Sequence, residues 1–244
     1  MNYYKQKIGT YPVFEWLETG ILLCIAGGFL DAYTFVTRGG VFCNAQTSNL
    51  IFLTLGIASG DGTAALRYLI PVLLFIAGVF LSEICLHLAK KKREEFRGHG
   101  FVLLGEIAVL VAVGFLPPSV PDMLVNALVS LAAAVQFDNF RKMEGKPFAT
   151  AFCTGNMRTA TEHAMHAAAE RDRAAAKVTA KYALLICAFL CGVLAGYYAS
   201  QAAGGYAAFI AAAILAAVFA GILLGERARR RLEQQPTEHA EPSA

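Results

Sequence analysis

Residues 66–89 read LRYLIPVLLFIAGVFLSEICLHLA. Crossing the hydrocarbon core of a bilayer takes about 20 predominantly apolar helical residues, and this run supplies them. Five more runs of the same character follow the chain outward: Phe14–Val36, Phe101–Leu116, Met123–Phe140, Ala174–Ala199 and Tyr206–Leu224. Composition agrees. Of 244 residues, 57% are hydrophobic and only 16% charged, with a mean hydropathy of +0.51. A soluble domain carries about 25% charge. An ordinary soluble enzyme, a disordered chain and a secreted disulfide scaffold are therefore excluded, and the chain is too long for a single-pass anchor.

Net charge is small, +3 from 21 basic and 18 acidic residues, but its placement is informative. The charges cluster in Lys90–Arg97, Arg141–Lys146, Arg171–Lys181 and Arg227–Arg231, between the apolar runs. They read as loop charges, and no nucleic acid is expected as a partner. Two segments are ambiguous. Asn44–Ser59 begins polar, and Phe148–Ala169 carries Arg158, Glu162, His163 and His166. A charge near the bilayer centre costs about 2.5–3.5 kcal/mol, which makes the second a poor spanning helix.

The positive-inside rule arbitrates. If both ambiguous segments return to the side they left, every basic cluster falls on one side. The opposite loops, Thr37–Asn44, Gly60–Ala65, Pro117–Pro121 and Gln201–Gly205, then hold a single basic residue, Arg38. The expected fold is all-α: a polytopic membrane protein of about six transmembrane helices and two re-entrant or broken polar hairpins. Both termini would be cytoplasmic. Residues 1–13 form an amino-terminal tail, 14–116 a first membrane unit, 122–224 a second, and 225–244 a flexible tail. A seven-span variant, in which Asn44–Ser59 crosses, costs only Lys5 and Lys7 and stays open.

The two units correspond. At an offset of 107 residues, Asp31 meets Asp138, Thr47 meets Thr154 and Asn49 meets Asn156. Each half reads as one helix, one irregular polar hairpin and two more helices. Three spans per half is an odd number, so the second half enters the membrane from the opposite face. That is an inverted 3+3 repeat, an architecture of many secondary transporters. Irregular backbone at membrane depth survives only where protein or a watery cavity surrounds it. NAQTSN at 44–49 and ATAFCTGN at 149–156 are the candidates, with Ser, Thr and Asn suited to helix starts and the new helices presenting a partial positive end.

Gly27-Gly28-Phe29-Leu30-Asp31-Ala32, Asn44-Ala45-Gln46-Thr47-Ser48-Asn49 and Cys153-Thr154-Gly155-Asn156 are similar to the motifs of the YoaK-like family. The similarity runs from about Glu15 to Leu224. The resemblance implies a bacterial multipass protein of the cytoplasmic (inner) membrane, carrying a domain of unknown function, and no settled activity. Ser48 stands where that family usually shows Gly, whereas Gly155 keeps it.

Candidate site residues follow from cost. Asp31 and Asp138 are intramembrane acids at equivalent places, and such acids usually have a reason. Either they bind a substrate, cation or proton, or they cap the hairpin of their own half. Gln46, Thr47, Asn49, Thr154 and Asn156 admit the same two readings. Gln136, with Asn139 and Arg141, precedes the second hairpin and suits interhelical hydrogen bonding. Glu83 and Glu106 have no acidic counterpart at Leu190 and Ala213. An unmatched acid suits proton coupling, although Glu83 is also placed to pair toward the Lys90 cluster. Glu162 and His166 share a helix face, but two ligands do not make a metal site.

Of six cysteines, Cys24, Cys43, Cys85, Cys153, Cys187 and Cys191, four sit inside apolar runs and read as packing residues. Gly192-x-x-x-Gly196 suits close helix approach. No phosphate loop, dinucleotide fingerprint, metalloprotease helix or nucleophile elbow occurs. The expectation is a non-enzymatic secondary transporter or permease for an unidentified small polar or ionic solute, without cofactor or metal. Its partners are the lipid bilayer and that solute, with a homo-oligomer left open. The alternatives are a membrane-embedded enzyme acting on a lipid-linked substrate and a structural or regulatory membrane protein.

Overall fold

The computed structural model describes residues 10–91, 95–151 and 153–233. Lys5, Lys7, Phe152, the side chains of Lys90–Arg97 and the end of the tail lie outside the described residues. The helices are, in order, α1 (Leu17–Thr37), α2 (Gln46–Ala58), α3 (Gly62–Lys91), α4 (Glu95–Gly114), α5 (Asp122–Asn139), α6 (Cys153–Ala169), α7 (Arg173–Ala203) and α8 (Ala208–Glu233). A 3-10 turn, Val13–Glu15, precedes α1. The all-α reading is met apart from one small antiparallel pair, β1 (Lys142–Met143) with β2 (Lys146–Pro147). Its turn is made by Glu144 and Gly145, both with positive φ.

Local chemistry explains the breaks. Gly39 and Gly40, at φ of 75° and 76°, take the chain out of α1 through backbone that residues with a Cβ rarely adopt. Gly204, at φ 54°, separates α7 from α8 through the 3-10 turn Gly204–Ala207. Asp172 caps α7, its carboxylate accepting from the Ala174 amide at 2.7 Å. Ala45 precedes α2 and supplies no side-chain cap, so the expected capping by Ser, Thr or Asn is not how that helix begins.

Among the described residues three stretches are long and apolar enough to cross a membrane: Leu17–Thr37, Gly62–Leu88 and Arg173–Arg231, the last broken at Gly204. His99–Gly114 is a shorter apolar helix, as its bounding Gly and Pro residues required. At 13 residues and a rise of 1.5 Å per residue, α2 spans about 20 Å, less than the hydrocarbon core.

Helix α1 is the centre of the bundle. Of its spanning window 72% is buried, against 22% for Gly62–Leu88. It packs on α7 and α8, while α5 packs on α3 and α4; α2 lies on α3, α6 on α7, and α4 on α8. The α1–α7 seam is close. A Cβ added at Gly196 would stand 2.5 Å from the Phe29 carbonyl oxygen, and Gly28 and Gly192 face the partner backbone still more tightly. Gly78 of α3 lies against Leu131 of α5 in the same manner. These contacts realise the small-residue packing read from Gly192 and Gly196.

Two ends are distinct. At one, Asn126 Nδ2 donates to the Arg38 carbonyl at 2.7 Å, Tyr33 Oη donates to the Gly205 carbonyl, and Arg38 lies 3.6 Å from Asp122. At the other, the Glu144 amide donates to the Glu15 carbonyl at 2.7 Å, Phe14 stacks on His99, and Tyr182 Oη donates to the Pro147 carbonyl at 2.5 Å. Leu23, Phe29, Leu103, Leu110, Val129 and Leu215 form the main core. Outward faces are apolar too: Leu50, Leu55, Ile76, Phe80, Ile84 and Leu194 are exposed. Water would not tolerate such a surface, whereas lipid solvates it.

Candidate functional site between the central helices

The first hairpin is held from two directions. Asp31, on α1 and 4% exposed, accepts from the Asn44 amide at 2.8 Å and from the Cys43 thiol at 3.4 Å. Asn49, fully buried in the first turns of α2, reaches back seven residues to clamp Phe42. Its Oδ1 accepts from the Phe42 amide at 3.1 Å, and its Nδ2 donates to the Phe42 carbonyl at 2.6 Å. Gln46 Oε1 accepts from the same Nδ2 at 3.0 Å, while Gln46 Nε2 donates to the Cys43 carbonyl at 2.7 Å. Asn44 Nδ2 donates to the Gly27 carbonyl at 3.4 Å. Orphan backbone groups of a broken helix are thus satisfied by side chains, as burial demands.

The second hairpin repeats one of these devices. Asn156 Nδ2 donates to the Ala149 carbonyl at 2.9 Å, again seven residues back. It does not repeat the other. Asp138 Oδ1 accepts from Arg141 Nη2 at 2.5 Å, and Arg141 Nε donates to the Asp138 carbonyl at 2.5 Å. The same guanidinium pairs with Glu83 of α3, so Glu83 faces Arg141. Pairing with Glu83 and then Asp138 holds the Arg141 guanidinium in its charged form. Asp138 Oδ2 and Thr150 Oγ1 are buried without a hydrogen-bond partner among the described residues.

Glu106 of α4, 2% exposed, meets Gln136 of α5. With the Gln136 amide nitrogen turned to the carboxylate, it donates to Oε2 at 2.8 Å and Oε1 at 3.0 Å. Both Asp31 and Glu106 act electrostatically on Cys43, and Asp31 acts on Cys153 at the start of α6. The interior therefore brings together Asp31, the first hairpin, the start of the second hairpin helix and Glu106. Thr47 and Thr154 are exposed and stand apart from this group. Cys43, Asn44 and Thr150 belong to it. Their signal in the sequence was only their position inside polar segments at membrane depth.

Charges on α6 face outward. Arg158 Nε donates to Glu162 at 2.8 Å, which holds that carboxyl below the usual range. His166 lies 3.2 Å from Glu170. Among the described residues no three His, Cys, Asp or Glu side chains converge as a metal site requires. One described cavity, 430 Å³, is a groove on α3 lined by Leu73, Ile76, Phe80 and Ile84. Another, 190 Å³, lies between Trp16, Leu22 and Val218.

Apolar helices around an interior of paired and clamped polar groups define a helical membrane protein. Residues 19–221 match the family described as protein of unknown function, DUF1275, and the chain belongs to it. No curated protein and no solved structure matches the chain.

Proposed function

We propose that this protein is a small secondary transporter or permease of the bacterial cytoplasmic membrane, moving a small polar or ionic solute without chemical conversion. The observation that carries the reading is the set of buried polar side chains Asp31, Asn49, Glu106, Gln136, Asp138 and Asn156. Ionisable side chains at membrane depth are costly, and burial of several in one bundle is the mark of a solute or ion pathway. Gln46 belongs to the first hairpin, and the two threonines, Thr47 and Thr154, are exposed and stand apart.

The proposed architecture is six crossings as two inverted repeats, with both termini cytoplasmic. Helix pairing supports it. Exchanging the halves turns the α1–α7 pair into α5–α3, the α2–α3 pair into α6–α7, and the α1–α8 pair into α5–α4, while α4–α8 maps onto itself. The two seven-residue asparagine clamps exchange in the same way. Secondary transporters place their sites where such repeats meet, beside broken helices. One observation favours a second reading, a structural protein without a solute: Asp31, Asn44, Gln46 and Asn49 satisfy one another within their own loop.

The test is uptake into liposomes holding the purified protein, screened against small ions, amino acids and sugars. Transport lost in the Asp31→Asn, Asp138→Asn double variant, with folding retained, is the expected result. Unimpaired transport in that variant would overturn the site, and no uptake of any solute would favour the structural reading.

A further inference from the structure

We propose that Glu106 and Gln136 form a reversible proton-binding site, in which the primary amide turns over so that the carboxyl is hydrogen-bonded whether it holds a proton or not. The proposal deepens the transporter reading by naming the proton as its coupling ion. Proton binding itself is a property that survives if no solute is found.

Geometry carries the argument. Glu106 is buried on α4, and Gln136 on α5 lies at hydrogen-bond distance from both of its oxygens. A carboxylate only accepts, whereas a protonated carboxyl donates one bond. An amide presents a donor at one end and an acceptor at the other. Ionised Glu106 accepts from Gln136 Nε2; protonated Glu106 donates to Gln136 Oε1 after a half-turn of the amide. A Lys or Arg in the same place would stabilise only the ionised form. The groups around the pair leave this choice open. Across the first hairpin the titratable neighbour is the Cys43 thiol, which Glu106 and Asp31 both reach electrostatically. On α5 the nearest acid, Asp138, is engaged by Arg141. On α3, Glu83 is engaged by the same arginine. On α8 the charged residues Glu226 to Arg231 lie beyond Gly225, at the end that packs on Val13. On α4 itself His99 is two turns away and stacks on Phe14.

The site spans α4 and α5, one of the contacts between the two halves of the chain. Moving the proton exchanges a neutral for a charged group in a low-dielectric seam, where the change in interaction is large. That is how a bound proton would bias one packing of the halves over another.

Infrared difference spectroscopy of the protein in lipid nanodiscs, titrated between acid and alkaline pH, reads the site directly. A carbonyl band of a protonated carboxyl, shifted by 13C-glutamate labelling, is expected to vanish as pH rises. The same band is expected to be missing in Glu106→Gln. In Gln136→Leu it should persist to higher pH, because hydrogen bonds to a charged group are worth more than those to a neutral one, so the ionised form loses more. A glutamate band that never titrates, or its complete absence at every pH in the unsubstituted protein, overturns the proposal. A titrating band with no solute uptake in liposomes would retain the proton site and remove the transporter.

Discussion

Replacing Gly196 by alanine should destabilise the α1–α7 seam, although alanine is the better helix former. A Cβ there meets the Phe29 carbonyl oxygen at 2.5 Å, Phe29 Cα at 2.9 Å and Ala32 Cβ at 3.0 Å. Two of these are backbone atoms of α1, which no rotamer change can move aside. Relief requires the helices to part by about 0.5–1 Å, which forfeits about a quarter to a half of the dispersion energy along the contact. Overpacking of this kind costs about 1–3 kcal/mol. The helix-propensity gain of Gly→Ala returns about 0.5–1 kcal/mol. A net loss of about 1–2 kcal/mol is expected. Gly155 and Gly221 are the internal controls, since nothing lies within 4 Å of a Cβ at either; alanine there should stabilise by up to about 1 kcal/mol. Unfolding in mixed micelles by stepwise addition of sodium dodecyl sulfate, followed by circular dichroism, measures all three. Gly196→Ala as stable as Gly155→Ala would refute the seam.

Asn49→Ala should cost about 2 kcal/mol, since it removes two bonds to the backbone of half-buried Phe42, whereas Asn156→Ala, losing one bond, should cost about 1 kcal/mol; hydrogen exchange at the Phe42 amide reports the first directly. Arg141→Ala should destabilise by about 2–3 kcal/mol because it strands the buried Asp138 carboxylate, and Glu83→Ala by no more than about 1 kcal/mol, both partners of that pair being half exposed; equal losses in the micelle assay would show that Asp138 does not depend on the arginine. In a background free of the native cysteines, single cysteines at positions 95 and 176 should be labelled only from the cytoplasm and one at position 62 only from outside; labelling of position 176 from outside would break the inverted repeat.

The apolar runs were legible because lipid imposes a crude and strong rule, a length of apolar helix with charges at its ends. Glu83 and Asn49 mark where the sequence becomes ambiguous. Charge spacing along the chain points Glu83 toward the Lys90 cluster, whose side chains lie outside the described residues; its pairing with Arg141, from the segment after α5, is tertiary information that spacing does not carry. Asn49 looks like a helix cap from its position, yet a clamp reaching seven residues back depends on how the loop folds over α1. Thr47 and Thr154 match at the repeat offset as well as the asparagines do. Only the helix phase tells an outward threonine from an inward asparagine two residues on. Arg38 is the one basic residue in the four loops read as lying opposite the basic clusters, and the structure shows it buried against Asp122. Ser48 and Gly155 occupy equivalent helical positions, neither with positive φ, so the exchange of Gly for Ser requires no backbone change.

The central position of α1 sets a timetable for the ribosome. Helix α1 is made long before α7 and α8, which cover it. Throughout synthesis of the intervening chain α1 waits in the membrane without its final neighbours, carrying a carboxylate that lipid would penalise. Asp31 draws its partners from Cys43 and Asn44, which are translated only a dozen residues later. The partners of this acid are thus within reach long before α7 and α8 exist. Asp138 reaches the membrane with a guanidinium three residues behind it. Each acid has a partner close in sequence, whereas the helices that cover α1 come from far along the chain.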